Sequence, residues 1–360
     1  MPFKKLHHWK LALWGCSFFV LGMACITVLE NSPKFFDNSL LHKILLSTQH
    51  LTAWLFDPIP FSVGDLIYLV IFGFLMWGLR KFIRQPEERF VLINHSIFWV
   101  GLIFLIFQLR WGINYYRPAA FPIQKEYQKY NEEALLRTLD ILIDQTHKHH
   151  LELSKDSATI PEIPFSKAEI KTKIENAPYF SNADRSVRLK HSMWSVALSY
   201  MGYAGYLNPW TLEAQVNRKL PKMSYVITAA HELQHQLSIA PENEANFAAF
   251  LATTTHPDPW IELAGYSFGL RYTLSALWKN NPDQARIYQK KIHSGIIEGY
   301  KKQAAFWKSY DNPLEKYFKF GYDRFLKAQG QALGIQSYGA VVQLLIQHFE
   351  NHPTEVYNSK

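Results

Sequence analysis

Three apolar runs, at residues 11–29, 61–79 and 91–113, constrain this chain before anything else does. Each is long enough to cross a hydrocarbon core of ~30 Å, which takes about 20 mainly apolar residues. Backbone polar groups in lipid must be satisfied within the segment, so the runs are expected as transmembrane helices. All three precede residue 118; beyond it charges are mixed and apolar residues recur at helical spacing. The mean hydropathy of −0.14 is therefore an average over two unlike parts. A membrane domain over 1–117 and a polar domain over 118–360 are expected.

Lys4, Lys5 and Lys10 precede the first run, as basic residues precede a secretory leader. Its apolar stretch is longer than a leader's core, no small-x-small site comes before Glu30-Asn31-Ser32, and two more runs follow. An uncleaved anchor is expected. Arg80, Lys81, Arg84 and Arg89 fill the link between the second and third runs. The positive-inside rule puts both basic groups on the cytoplasmic side of the inner membrane and exports the C-terminal domain. The loop over 30–60 then lies outside, with residues 40–56 as an amphipathic helix on the membrane. Asp65, Asn94, His95, Ser96, Gln108 and Arg110 fall toward the ends of the runs, which fits interfaces and interhelix hydrogen bonds better than a transport path.

A formal charge of +8 raises nucleic acid as a partner. The basic residues are short groups beside apolar runs rather than one clustered face, so nucleic-acid binding is not expected. The two cysteines, Cys16 and Cys25, both sit in the first run. The polar domain thus has no disulfide framework or thiolate site, and any metal there must be held by His, Asp or Glu.

Helices are expected over 131–150, 222–238, 242–254, 260–279, 282–307, 311–329 and 335–349, punctuated by Asn281-Pro282, Asp311-Asn312-Pro313 and Gly330. Ser166 and Glu169 have capping-box spacing. Residues 186–206 would suit a strand or a helix. The fold class expected is mainly α, three membrane helices followed by a mostly helical domain with at most a small β element. His147, His149 and His150 read as a solvated helix end.

The chemistry concentrates in Ala229-Ala230-His231-Glu232-Leu233-Gln234-His235-Gln236. Histidines at i and i+4 project from one helical face, so His231 and His235 can converge on one ion, with Glu232 placed to take a proton from water there. The apolar stretch at 225–230 buries the helix, which locks the ligand rotamers. A catalytic zinc needs a third protein ligand and an open position. Glu242, after Pro241 at the start of a new helix, is the expected third ligand; Glu244 is the alternative. Asn246, one turn beyond Glu242, is placed to support a ligand histidine. This pattern resembles the Glu-x-x-x-Asp/Asn arrangement of gluzincin-type peptidases. Tyr266, Tyr322, Tyr338 and His256 are candidates to stabilise an oxyanion.

Further stretches carry a wider resemblance: Pro60-Phe61-Ser62-Val63-Gly64-Asp65, Trp111-Gly112-Ile113-Asn114-Tyr115-Tyr116-Arg117, Gly205-Tyr206-Leu207-Asn208-Pro209-Trp210, Glu213-Ala214-Gln215-Val216-Asn217, Tyr322-Asp323, Lys327-Ala328-Gln329-Gly330 and Ser337-Tyr338-Gly339. With the HExxH segment and residues 242–247, they resemble an uncharacterised family of bacterial multi-span membrane proteins with a zincin-like C-terminal domain. Ser238 departs from the glycine usual in that family's turn. The resemblance and the motif together imply one Zn2+ per chain and hydrolysis of peptide bonds in envelope or membrane-associated substrates. The rival expectations are a catalytically inactive metal-bound scaffold and a membrane receptor domain.

Overall fold

The computed structural model describes residues 2–32, 40–129, 131–181, 186–331, 334 and 340–352. It is mainly α-helical with one small sheet, and it divides into two compact units: Met1–Pro118 with Asn208–Glu213, and Ala119–Leu207 with Ala214–Lys360.

The first unit contains α1 (Pro2–Asn31), α2 (Leu40–Phe56), α3 (Val63–Arg84) and α4 (Arg89–Arg110). Trp9–Asn31, Val63–Arg84 and Pro86–Arg110 are long and apolar enough to cross a membrane. The third span stops short of the expected residue 113, because the chain tightens into a 3-10 turn over Gly112–Tyr116. Lipid offers little hydrophobic drive between helices, so close backbone approach through small residues has to supply the packing. Gly15 of α1 and Gly101 of α4 provide it. A Cβ on Gly101 would strike the Gly15 carbonyl, and one on Gly15 would strike that of Ile97. Phe19 stacks on Phe104 beside this crossing, with ring centroids 4.6 Å apart.

The N-terminus of α3 is capped twice. Asp65 N–H donates to Ser62 Oγ at 2.9 Å. The Glu213 carboxylate accepts from Val63 N–H at 3.1 Å and Gly64 N–H at 2.6 Å. A carboxylate at this position satisfies otherwise orphaned donors and complements the helix dipole. At the end of α4, Arg110 Nη2 donates to Thr52 Oγ1 of α2 at 2.6 Å, an interhelix bond of the kind expected for these polar groups.

The second unit contains α5 (Glu132–Ser154), α6 (Lys167–Glu175), α7 (Pro178–Ser181), β1 (Leu189–His191), α8 (Ser195–Met201), β2 (Gly205–Leu207), β3 (Ala214–Val216), α9 (Lys222–Gln236), α10 (Glu242–Thr254), α11 (Pro259–Asn280), α12 (Pro282–Lys291), α13 (Ser294–Lys308), α14 (Glu315–Ala328) and α15 (Val341–Asn351). The sheet order is β1-β3-β2, with β1 parallel and β2 antiparallel to β3. One core gathers Leu135, Leu139 and Leu142 of α5 with Phe250, Leu270 and Leu345. A second packs the strands and α6 against Tyr225, Val226, Ala229, Ala230 and Leu233 of α9. These residues recur on one face of α9, so burying that face fixes the direction of the opposite one, which carries His231 and His235.

Local signals account for most boundaries. Asn131 accepts the Ala134 N–H to start α5, and Ser166 with Glu169 forms a complete capping box on α6. Residues 186–206 resolve into strand, helix and strand. The single helix expected over 282–307 is broken at Ile292, whose extended backbone (φ −75°, ψ 137°) separates α12 from α13. The helix expected from 335 begins within the described residues at Val341.

The expected solvated end at His147, His149 and His150 is corrected. The helix runs on to Ser154, and His149 and His150 are buried. His150 Nε2 lies 2.7 Å from the Thr159 carbonyl, which only accepts, so that nitrogen carries a proton. His150 Nδ1 meets His293 Nδ1 at 3.0 Å. His293 N–H donates to His147 Nε2 at 3.1 Å, and the rings of His147 and His293 stack at 3.5 Å. The break between α12 and α13 is thus tied to α5 by histidines.

Two predictions follow from this packing. Gly101→Leu should push α1 from α4 and lower stability by about 1–3 kcal/mol, the usual range for overpacking, read as an earlier thermal transition in detergent. Burial, then His293 and His150, hold His147 down to about 4 from its ordinary 6.5. Between those values the unfolded chain binds more protons, so stability rises with pH there and is fully present above about 6.5. The wild-type unfolding temperature should fall as pH drops from about 6.5 toward 4. His147→Gln, which keeps an acceptor for the His293 N–H, should show a shallower fall over the same range.

Candidate metal centre

The centre is built on the turn between α9 and α10. Ser238 N–H donates to His235 O at 2.8 Å and Ile239 N–H to Gln234 O at 3.1 Å. This is the paired bonding of a Schellman motif, which needs one left-handed residue. Ser238 is that residue, with φ +70°. An L side chain there costs roughly 1–2 kcal/mol relative to glycine. The departure from glycine at this position is therefore real strain, yet the turn forms.

That turn does two things. It reverses the chain so that Glu242, the first residue of α10, faces the histidine pair. It also brings the Ile239 carbonyl to 2.7 Å from His235 Nδ1. A carbonyl there fixes the proton on Nδ1 and leaves Nε2 as the donor to an ion. His231 Nε2 lies 3.2 Å and His235 Nε2 3.5 Å from Glu242 Oε2. One ligand atom from each of the three residues falls within 4.8 Å of the others. A tetrahedral ion with bonds of ~2.1 Å holds its donors ~3.4 Å apart. The observed spacings match that edge rather than the ~2.8 Å of a charge-assisted hydrogen bond. The donor set, two imidazoles and one carboxylate, suits Zn2+.

The four ionisable groups of the centre are buried and act on one another. His231, Glu232, His235 and Glu242 are 7%, 4%, 7% and 1% exposed. Burial favours a protonated Glu242, but His235 and His231 outweigh it and hold the carboxyl well below its usual range. Burial likewise disfavours a charged His235, and Glu242 overrides it in the raising direction. His231 is lowered by burial and by His235. Glu232 is pushed up to about 8 by burial, with His235 opposing. Its Oε2 is buried with no hydrogen-bond partner among the described residues.

The surrounding residues divide cleanly. Tyr322 of α14 donates its hydroxyl to Glu242 Oε1 at 2.7 Å, so it orients that carboxylate toward the histidine pair. Tyr203 packs edge-on against the Tyr322 ring. Asn246 acts on the His231 imidazole in the raising direction, against burial. Glu244 turns elsewhere, accepting the Ala120 N–H at 2.8 Å, so Glu242 rather than Glu244 joins the histidines. Tyr266 stacks on His149 in the α5–α11 core. His256 is engaged by the Lys173 carbonyl at 3.2 Å and by Asp258 N–H at 2.9 Å. Neither of these two side chains has a hydrogen bond to the four centre residues among the described contacts. Tyr338 lies outside the described residues.

Gly205 of β2 is a contributor that sequence reasoning did not single out. A Cβ on it would come within 2.6 Å of Glu232 Oε1 and 2.7 Å of the Gln215 carbonyl. Glycine lets an edge strand run directly over the Glu232 carboxylate. Only the sheet's position over α9 explains the glycine.

Fold and site together define a class: a multi-span membrane protein whose helical second unit carries a buried two-histidine, one-glutamate centre beside a free-standing carboxylate. The chain belongs to the family described as protein of unknown function DUF3810, whose pattern matches residues 42–346. No curated protein and no solved structure matches it.

Tyr322→Phe removes the hydroxyl from Glu242 while keeping the ring against Tyr203. Loss of such a supporting bond typically costs 10–100-fold in metal affinity, so about 10-fold weaker Zn2+ binding is expected in competition with a chromophoric chelator.

Proposed function

We propose that this protein is a membrane-anchored zinc metallopeptidase that hydrolyses peptide bonds of envelope or membrane-associated substrates. The observation that carries the reading is the convergence of His231 Nε2 and His235 Nε2 on Glu242 Oε2, at 3.2 and 3.5 Å, with Glu232 buried next to them. Those three residues would hold the ion. A zinc ion bound there would supply Lewis acidity, acidifying a water and polarising a carbonyl.

The chain's own groups account for the proton movements. Glu232 takes a proton onto its carboxylate as water adds to the carbonyl carbon. When the C–N bond breaks, it delivers that proton to the leaving nitrogen, giving a carboxylic acid and an amine. Ile239 O holds the His235 ring, and Tyr322 holds Glu242. Gly205 lets β2 pass close over Glu232, and β2 is an edge strand to which an extended peptide could add. Three rather than four protein ligands converge among the described residues, which favours catalysis over a closed structural site. On the positive-inside argument the N-terminus is cytoplasmic and the second unit extracytoplasmic, at the inner membrane.

The test compares purified wild type, His235→Ala, Glu242→Ala and Glu232→Gln by elemental analysis and by cleavage of a peptide library in detergent. Wild type should hold near one zinc per chain, and both alanine variants should lose it. Glu232→Gln should retain zinc but lose about 10²–10⁴-fold of activity, the range for a general base. A wild type that takes up no metal after zinc reconstitution would overturn the reading.

A further inference from the structure

The helix that carries Tyr322 to Glu242 has a first half that stands clear of the fold. Residues 316–321 of α14 are all exposed. They are not polar turns. Tyr317 is 63%, Phe318 37% and Phe320 60% exposed, and Leu314 just before the helix is 60% exposed. A Cβ at Gly321 would meet nothing within 4 Å. A projecting helix with large apolar groups around it is not stable against water and calls for an apolar surrounding.

The neighbouring helix extends the same surface. Asn312 Nδ2 donates to the Tyr200 carbonyl at 2.7 Å, and Tyr203 Oη donates to the Phe318 carbonyl at 3.3 Å. Tyr200 packs edge-on against Tyr310 at 5.1 Å. These bonds fix α8 beside α14, and α8 with its preceding residue exposes Trp194, Val196 and Tyr200 at 37%, 50% and 49%. The patch is therefore held rigidly by two elements rather than carried on a loose loop.

Its chemistry identifies the occupant. Tryptophan and tyrosine mixed with phenylalanine and leucine, rimmed by lysine and arginine, is the composition of the lipid–water interface. Lys316 Nζ sits 5.1 Å from the Tyr317 ring and the Arg324 guanidinium 5.2 Å from that of Phe320. Cations arranged along aromatic bodies in this way can bury their stems and keep their charge among headgroups. Over Glu315–Ala328 the basic residues are Lys316, Lys319, Arg324 and Lys327, against Glu315 and Asp323, a sign that complements anionic lipid. A bilayer is also within reach. Ala119 opens the second unit nine residues (119 − 110) after Arg110 ends the third span. Nine residues cover at most ~30 Å, so tethering keeps the unit at high effective concentration near the surface.

We infer that the N-terminal half of α14, with the exposed face of α8, docks into the headgroup region of the membrane that the chain itself spans. The docking does not depend on metal at the histidine–glutamate centre. It places the α14 helix, and Tyr322 with it, against lipid, so that anything presented to the centre would arrive along the bilayer surface.

The experiment uses the full chain with Cys16→Ser and Cys25→Ser, and a single Phe320→Cys labelled with an environment-sensitive fluorophore. Leu314→Cys serves as a second probe position and Lys301→Cys, on α13, as the control. The proteins are reconstituted in vesicles of phosphatidylethanolamine and phosphatidylglycerol. Probes at 320 and 314 should be quenched several-fold more strongly by shallow spin-labelled lipid than the probe at 301, and should resist aqueous iodide. Equal iodide quenching at all three positions would overturn the inference. So would protection from iodide without lipid quenching, which at high protein density would identify a second copy of the chain as the occupant.

Discussion

Four ionisable side chains buried together on two consecutive helices are the constraint around which the second unit is organised. Desolvating two imidazoles and two carboxylates costs more than most single contacts return, unless charge and hydrogen bonds offset it. His235 and Glu242 balance each other, and Ile239 O and Tyr322 saturate one atom of each. Glu232 is left with a buried oxygen and a protonation equilibrium pushed toward neutrality. On the proposed reading, an ion of charge +2 would balance the cluster and leave that oxygen to chemistry.

The strain at Ser238 belongs to the same account. Without a left-handed residue after α9, α10 would not fold back and Glu242 would not reach the histidines. A glycine would adopt that conformation without cost, so the serine shows that the surrounding helix packing is strong enough to impose the turn. Gly205 works in the opposite sense, since no other residue could lie so close to Glu232. Both positions are backbone solutions to the problem of bringing charged side chains into a dry space.

The membrane unit rests on different physics. In lipid the helices gain from close backbone contact, which Gly15 and Gly101 allow. The unit also takes in Asn208–Glu213, so that Pro60-Phe61-Ser62-Val63-Gly64-Asp65 and the stretch containing Asn208 and Glu213, far apart in sequence, share one set of hydrogen bonds. Glu213 there is a helix cap rather than a chemical group.

The chain's own residues determined the three spans, the mainly helical class, most helix starts and the pairing of His231 with His235, because hydrophobic length, capping and i,i+4 spacing act locally. The sequence left Glu242 and Glu244 as alternatives, since a one-residue change at a helix start exchanges them; the Schellman turn and the Ala120 N–H separated them. Tyr322 could not be told from Tyr266 among 19 tyrosines, because an oriented hydroxyl depends on where α14 docks. The histidines of α5 looked solvated for the same reason: nothing local reveals that His293 will stack on them from 146 residues away. Local patterns specify elements and charge, whereas the assignment of each buried polar atom waits for the partner that long-range packing supplies.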